Sequence, residues 1–151
     1  MKLKQIPLVL LFLLTGQNAV ASPISNNELR AQREHIIHQY ILDLGRADHK
    51  DITSLFAEGG TVVSTSRGKV NAEEFFASFL TEIETANTEF HQFYSGLEDP
   101  DRFAARFHFH FNLLDGEIGD GEYVDEFVFA EDSTKLTQVV MFENLKFNND
   151  R

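Results

Sequence analysis

Between Arg102 and Leu114 the chain reads RFAARFHFHFNLL. Successive side chains of an extended strand point to opposite faces, so this stretch divides into two rows. Phe103, Ala105, Phe107, Phe109, Phe111 and Leu113 form one. Arg102, Ala104, Arg106, His108, His110 and Asn112 form the other. Burying each ring of the first row stabilises a fold by roughly 1.5–3 kcal/mol. The chain therefore has to build a sheet with one face closed by an apolar layer.

Helical spacing elsewhere supplies that layer. From Glu28 to Gly45 the apolar residues Leu29, Ile36, Ile37, Tyr40, Ile41 and Leu44 recur on one side, with Arg30, Arg33, Glu34 and Asp43 on the other. Asp48 is placed to cap a short second helix carrying Ile52, Leu55 and Phe56. "EGG" breaks it, and "TVVSTS" reads as a strand. "RGKVNAEEFFASFLTEIE" returns to helix, with Asn71 and Glu74 spaced as a capping box and a stripe of Ala72, Phe75, Phe76, Phe79, Leu80 and Ile83.

The remainder is β. "TEFHQFYSGL" turns at "EDPD" into the phenylalanine strand. The glycine-rich loop "DGEIGDGE" leads to "YVDEFVFA", and "EDSTK" leads to "LTQVVMFENLKF". Long strands on short connections predict an antiparallel meander. Helices segregated to one side of it make an α+β domain, over residues 28–148.

Residues 1–21, MKLKQIPLVLLFLLTGQNAVA, read as a secretory signal peptide: a basic start at Lys2 and Lys4, a short apolar run, and Ala19-Val20-Ala21 before Ser22. A short leader, 22–27, follows. The expected location is the periplasm or the outside of the cell, with no membrane association after cleavage. Losing Lys2 and Lys4 takes the net charge from −11 to −13, which repels nucleic-acid phosphates and anionic lipid headgroups. There is no cysteine, so stability has to come from a core. Fifteen phenylalanines without a tryptophan point to a large aromatic interior.

His108 and His110 share a side of their strand, as the ligands of a zinc, copper or iron ion would. A third ligand is missing, because the next acidic residues, Asp115 and Glu117, fall in a loop at the wrong offset. Since the phenylalanine row faces the helices, the histidines face away, on an outer sheet face open to water or to a second copy of the chain. Asp115, Glu117, Asp120 and Glu122 carry oxygens for calcium but lack EF-hand spacing. No metal and no cofactor is expected.

In order and spacing, three segments together resemble the NTF2-like, or SnoaL-like, superfamily of α+β cones. "YILDLGRADHKDITSLFAEGGTV" resembles its first-helix pattern, "GKVNAEEFFASF" the start of its third helix, and "YVDEFVFAEDSTKLTQVVMF" its closing strand pair. The superfamily includes ketosteroid isomerases, scytalone dehydratase, limonene epoxide hydrolase, polyketide cyclases and many non-catalytic proteins. The resemblance implies a pocket between curved sheet and helices.

The isomerase pattern puts a tyrosine donor at Tyr40 and a later acid at Asp125 or Glu126, of which strand alternation places only one inside. Alternation favours Asp125, whereas the spacing from Leu136 favours Glu126. The pattern's aspartate base falls on Ser64, and a serine unaided is no general base. Met141 sits near the place where some family hydrolases keep an aspartate. The resemblance also puts Phe107, Phe109, Val139, Met141 and Glu143 along the pocket, with at most one of His91 and Tyr94.

Two lost carboxylate positions favour a protein that binds a small hydrophobic molecule without the full isomerase set. The alternative is an acid–base isomerase, dehydratase or cyclase using Tyr40 with Asp125 or Glu126. A homodimer through the outer face, with Arg106, His108 and His110, is a further expectation.

Overall fold

The computed structural model describes residues 25–145. The expected signal peptide, most of the expected leader and the last residues of the expected domain lie outside them. The elements run α1 (Asn26–Gly45), α2 (His49–Ser54), β1 (Phe56–Ser64), β2 (Gly68–Asn71), α3 (Ala72–Phe79), a 3₁₀ turn (Leu80–Glu82), β3 (Ile83–Ser95), β4 (Arg102–Leu113), β5 (Ile118–Phe129) and β6 (Leu136–Leu145). The six-stranded sheet has the order β2-β1-β6-β5-β4-β3. β3 to β6 form the expected meander, β1 runs parallel to β6, and the other pairs are antiparallel. The architecture is α+β, with the helices on one face of the sheet. Among the described residues no helix is long and apolar enough to cross a membrane.

The phenylalanine row of β4 is buried as its alternation requires: Phe103, Phe107, Phe109 and Phe111 are all closed off, while the histidine row is partly exposed. β5 repeats the pattern, with Tyr123, Asp125, Phe127 and Phe129 inside. Tyr40, Ile37, Ile41 and Leu44 of α1 pack on this layer, joined by Phe75 and Phe76 of α3.

α1 begins earlier than its periodicity predicts. Ser25 caps it by accepting from the Glu28 amide at 3.3 Å, so Asn26 and Asn27 of the expected leader are already helical. Its polar side is also less polar than expected, because Arg33 is only 2% exposed and Asp43 is fully buried. The Arg33 guanidinium donates to the carbonyls of Ser133, Pro100 and Ala130 at 2.9–3.0 Å. It pairs with Asp101 at 2.7 Å and lies over the Phe129 ring. One side chain thus ties α1 to the β3–β4 and β5–β6 turns. At the other end of α1, Thr88 Oγ1 donates to the Ile41 carbonyl at 2.8 Å. A Cβ on Gly45 would lie 2.6 Å from that Oγ1, so glycine permits the close approach of α1 to β3.

Two local expectations are corrected. Residues 68–71 are not the start of the third helix. They form β2, a hairpin partner of β1 from Thr61↔Asn71 to Ser64↔Gly68, and α3 starts at Ala72 behind the Asn71 cap. Nor is "DGEIGDGE" a loop throughout, because β5 already begins at Ile118. Gly119 and Gly121 pair across from Phe111 and Phe109. A Cβ on Gly119 would meet the Phe111 ring at 2.1 Å. Gly119 therefore leaves room for a ring rather than making a turn.

Gly119→Ala should accordingly destabilise the domain by about 1–3 kcal/mol, the usual cost of overpacking a core. Urea denaturation measures this, and an unchanged midpoint would contradict the packing role.

Candidate functional site

Between the sheet and the helices the fold leaves a cavity of about 190 Å³. Its wall is mostly aromatic and aliphatic: Phe107, Phe109 and Phe111 from β4, Phe75 and Phe79 from α3, with Leu44, Leu113 and Met141. Edge-to-face contacts fix the rings, with Phe79 and Phe111 centred 5.4 Å apart at 90°. Tyr123 of β5 stacks on Phe107 at 5.6 Å. The polar wall residues are Tyr123, Asp125, Glu143, Ser66 and Arg67.

Asp125 is the unusual member of the wall. Its carboxyl is fully buried. Tyr40 Oη donates to Asp125 Oδ2 at 3.1 Å, and Asp125 Oδ1 is buried without a partner among the described residues. The Tyr40 ring is held edge-on to Phe127 at 5.0 Å and to Phe76 at 5.9 Å. Tyr40 therefore stands behind Asp125 and orients it, rather than lining the cavity itself.

Burial raises the Asp125 pKa to about 8, with the nearby Glu143 charge adding to the rise and the Tyr40 hydrogen bond opposing it. Burial and the Asp125 carboxylate raise that of Tyr40 well above its usual value. At neutral pH the site is a carboxylic acid beside a neutral phenol. With Oδ2 accepting from Tyr40, Oδ1 is placed to carry the acid proton as an unused donor.

Glu143 pairs across from Tyr123 and is half-buried, which raises its own pKa. Glu126, the other candidate acid, faces outward and pairs with Arg102 at 2.5 Å. Strand alternation thus overrules the spacing from Leu136. Val139 is fully buried in the core but does not line the cavity. Ser64 is buried too, and serves the β1–β2 turn by accepting from the Arg67 amide at 3.2 Å. That turn presents Ser66 and Arg67 to the cavity, a role with no periodic or motif signal in the sequence.

His91 and Tyr94 do not line the cavity. A register shift between Phe90 and Gln92 accompanies an outward His91, whose Nε2 lies 3.3 Å from Glu122 Oε1. Tyr94 is exposed. His108 and His110 also lie on the outer face. His108 Nε2 sits 2.7 Å from Asp120 Oδ1 and its Nδ1 3.3 Å from Glu122 Oε1. His110 Nδ1 is 3.4 Å from the same Asp120 oxygen. Burial lowers the His108 pKa, but its bonds to Asp120 and Glu122 outweigh that and raise it overall. These carboxylates give the imidazoles partners across β4 and β5. Among the described residues no group of three or more side chains is arranged to hold a metal ion.

The same fold carries proteins of unlike activity. An epoxide hydrolase/cyclase-like enzyme, SalBIII, with a role in pyran ring formation in the polyether salinomycin, superposes with a TM-score of 0.65 at 17% identity. It covers 80% of this chain and 95% of that one. An NTF2-like protein of unknown function from Exiguobacterium sp. 255-15 gives 0.59 at 15% identity, over 72% and 98% of the two chains. A computationally designed 17-OHP binder gives 0.64 at 11% identity, over 78% and 96%. The chain has the α+β cone fold of these proteins. At these identities the likeness is one of fold alone. No family model matches the sequence, and no curated protein matches it.

The Asp125 carboxyl makes stability depend on pH in a definite sense. Its folded pKa of about 8 lies above the ordinary 3.8, so folding retains a proton that the unfolded chain releases. Its contribution is full below about pH 4 and is lost as pH rises towards about 8. Asp43 and Glu143, both raised by burial, act in the same direction. Asp125→Asn should match the parent at pH 4 and exceed it at pH 8, by on the order of a few kcal/mol. Parallel urea curves at the two pH values measure the difference, and an equal fall in both proteins would contradict it.

Proposed function

We propose that the cone binds a small apolar molecule with one oxygen that accepts a hydrogen bond from the Asp125 carboxyl. The observation that carries this is the unpartnered, fully buried Asp125 Oδ1 on the wall of an apolar cavity. A buried donor left unmade costs about 1–3 kcal/mol, and a ligand oxygen removes that cost. An apolar cavity of about 150 Å³ accepts benzene, so 190 Å³ suits a body of about one substituted ring. The designed 17-OHP binder illustrates that this fold can be made to hold a ligand. Ser64 at the position of the family's base leaves the isomerase set incomplete.

The N-terminal segment, with Lys2 and Lys4 before an apolar run, supports placing this binding in the periplasm or outside the cell. A second copy of the chain would meet the outer face at Arg106, His108 and His110. A single-chain mass in native mass spectrometry would contradict that pairing.

One observation favours a second reading, acid–base catalysis. Glu143 lines the same cavity as Asp125, and its pKa is raised by burial. A carboxylate with raised pKa beside a protonated carboxylic acid is a base and an acid in one pocket. If Glu143 removes a proton, the protein exchanges the α-protons of a bound aryl ketone in D₂O and Glu143→Gln does not.

Calorimetric titration with acetophenone tests the binding reading. The parent protein should bind it. Asp125→Asn, which keeps a donor, should stay within a few-fold, and Asp125→Leu should weaken binding roughly tenfold, the worth of one buried hydrogen bond. Equal affinity in parent and Asp125→Leu would overturn the assignment of Asp125.

A further inference from the structure

The cavity wall carries a single cation among the described residues, Arg67, on the turn between β1 and β2. We propose that this turn is a carboxylate site and that the ligand is a small apolar acid, its ring among the phenylalanines and its carboxylate on Arg67. The inference rests on the ligand-binding reading and adds the chemical class of the ligand.

Several observations converge on the guanidinium. One arm, Nη1, is held by Ser78 Oγ of α3. The group lies over the Phe75 ring, 5.4 Å from its centre, where cation and ring face attract. These contacts aim Arg67 without neutralising it, because no aspartate or glutamate among the described residues forms an ion pair with it. Nε and Nη2 keep their donors, and a planar fork is the arrangement that holds a carboxylate by two parallel bonds. Ser66 adds a hydroxyl on the same wall.

The turn itself is fixed. Ser64 Oγ accepts from the Arg67 amide and lies 3.5 Å from Ser66 Oγ. Gly68 takes the positive φ of 65° that the hairpin needs. Of the two wall carboxyls, Asp125 holds its proton at neutral pH and sets no charge against an arriving anion. Elsewhere a chain of net charge −11 repels anions. A ligand that places its carboxylate on Arg67 and another oxygen on Asp125 is then a one-ring acid bearing a carbonyl or hydroxyl.

Calorimetry with 3-phenylpropanoate and its neutral isostere 3-phenylpropanamide, with acetophenone as reference, tests this on the parent, Arg67→Gln and Arg67→Lys. The parent should prefer the acid over the amide by roughly tenfold, the worth of a charge-assisted bond. The preference should shrink as salt rises. Arg67→Gln should lose it, with circular dichroism showing that the variant is folded. Arg67→Lys should keep part of it. If amide and ketone bind but the acid binds no better, or if Arg67→Gln keeps the preference, the carboxylate site is wrong and the binding reading stands. If none of the three binds the parent, both fall.

Discussion

The pleat of β4 against β5 places two rows of side chains inside the cone, and the cavity's aromatic sheet wall and its buried acid follow from it. Phe107 faces Tyr123, Ala105 faces Asp125 and Phe103 faces Phe127 across one antiparallel register. A slip of one residue would turn the rings into water and Glu126 into the core. The phenylalanines make that slip prohibitive, since each contributes roughly 1.5–3 kcal/mol by burial. The same register therefore forces Asp125 to be buried. Its carboxyl sits in the interior because its neighbours in the row must.

A carboxylate in such a place would be costly, and the protein's answer is chemical. The group keeps its proton at neutral pH because burial disfavours the charge more than Tyr40 favours it. Tyr40 is itself boxed by Phe76 and Phe127, so the hydrogen bond has a fixed direction. An apolar wall thus gains one oriented donor. Glu143 and the Arg67 turn differ from it in kind, being nearer the solvent. The cavity grades from an apolar interior to a polar wall, which is how a pocket orients a ligand with two unlike ends.

Much of this was legible in the residue order. Alternation alone separates the phenylalanine row from His108 and His110, and it favours Asp125 over Glu126, a choice that the spacing from Leu136 left open. The helical stripe carries Tyr40 to the buried side of α1. What escaped depends on residues distant in sequence. Arg33 reads as a surface cation, yet it is buried by carbonyls of residues 100, 130 and 133. Gly119 reads as loop because its reason for being glycine is the Phe111 ring on the neighbouring strand. β2 escaped because it pairs only with β1, through a turn set by Ser64. That same turn carries Arg67 to the cavity, so its role was equally hidden.

The central claim is that Asp125 is a carboxylic acid at neutral pH. Its side-chain carbonyl carbon, followed by ¹³C NMR from pH 4 to 10 and assigned by its loss in Asp125→Asn, measures this directly. The signal should hold the shift of a protonated acid through pH 7 and move with a midpoint near 8. A midpoint near 4, the ordinary aspartate value, would show that the buried group is charged and that the cavity offers no such donor.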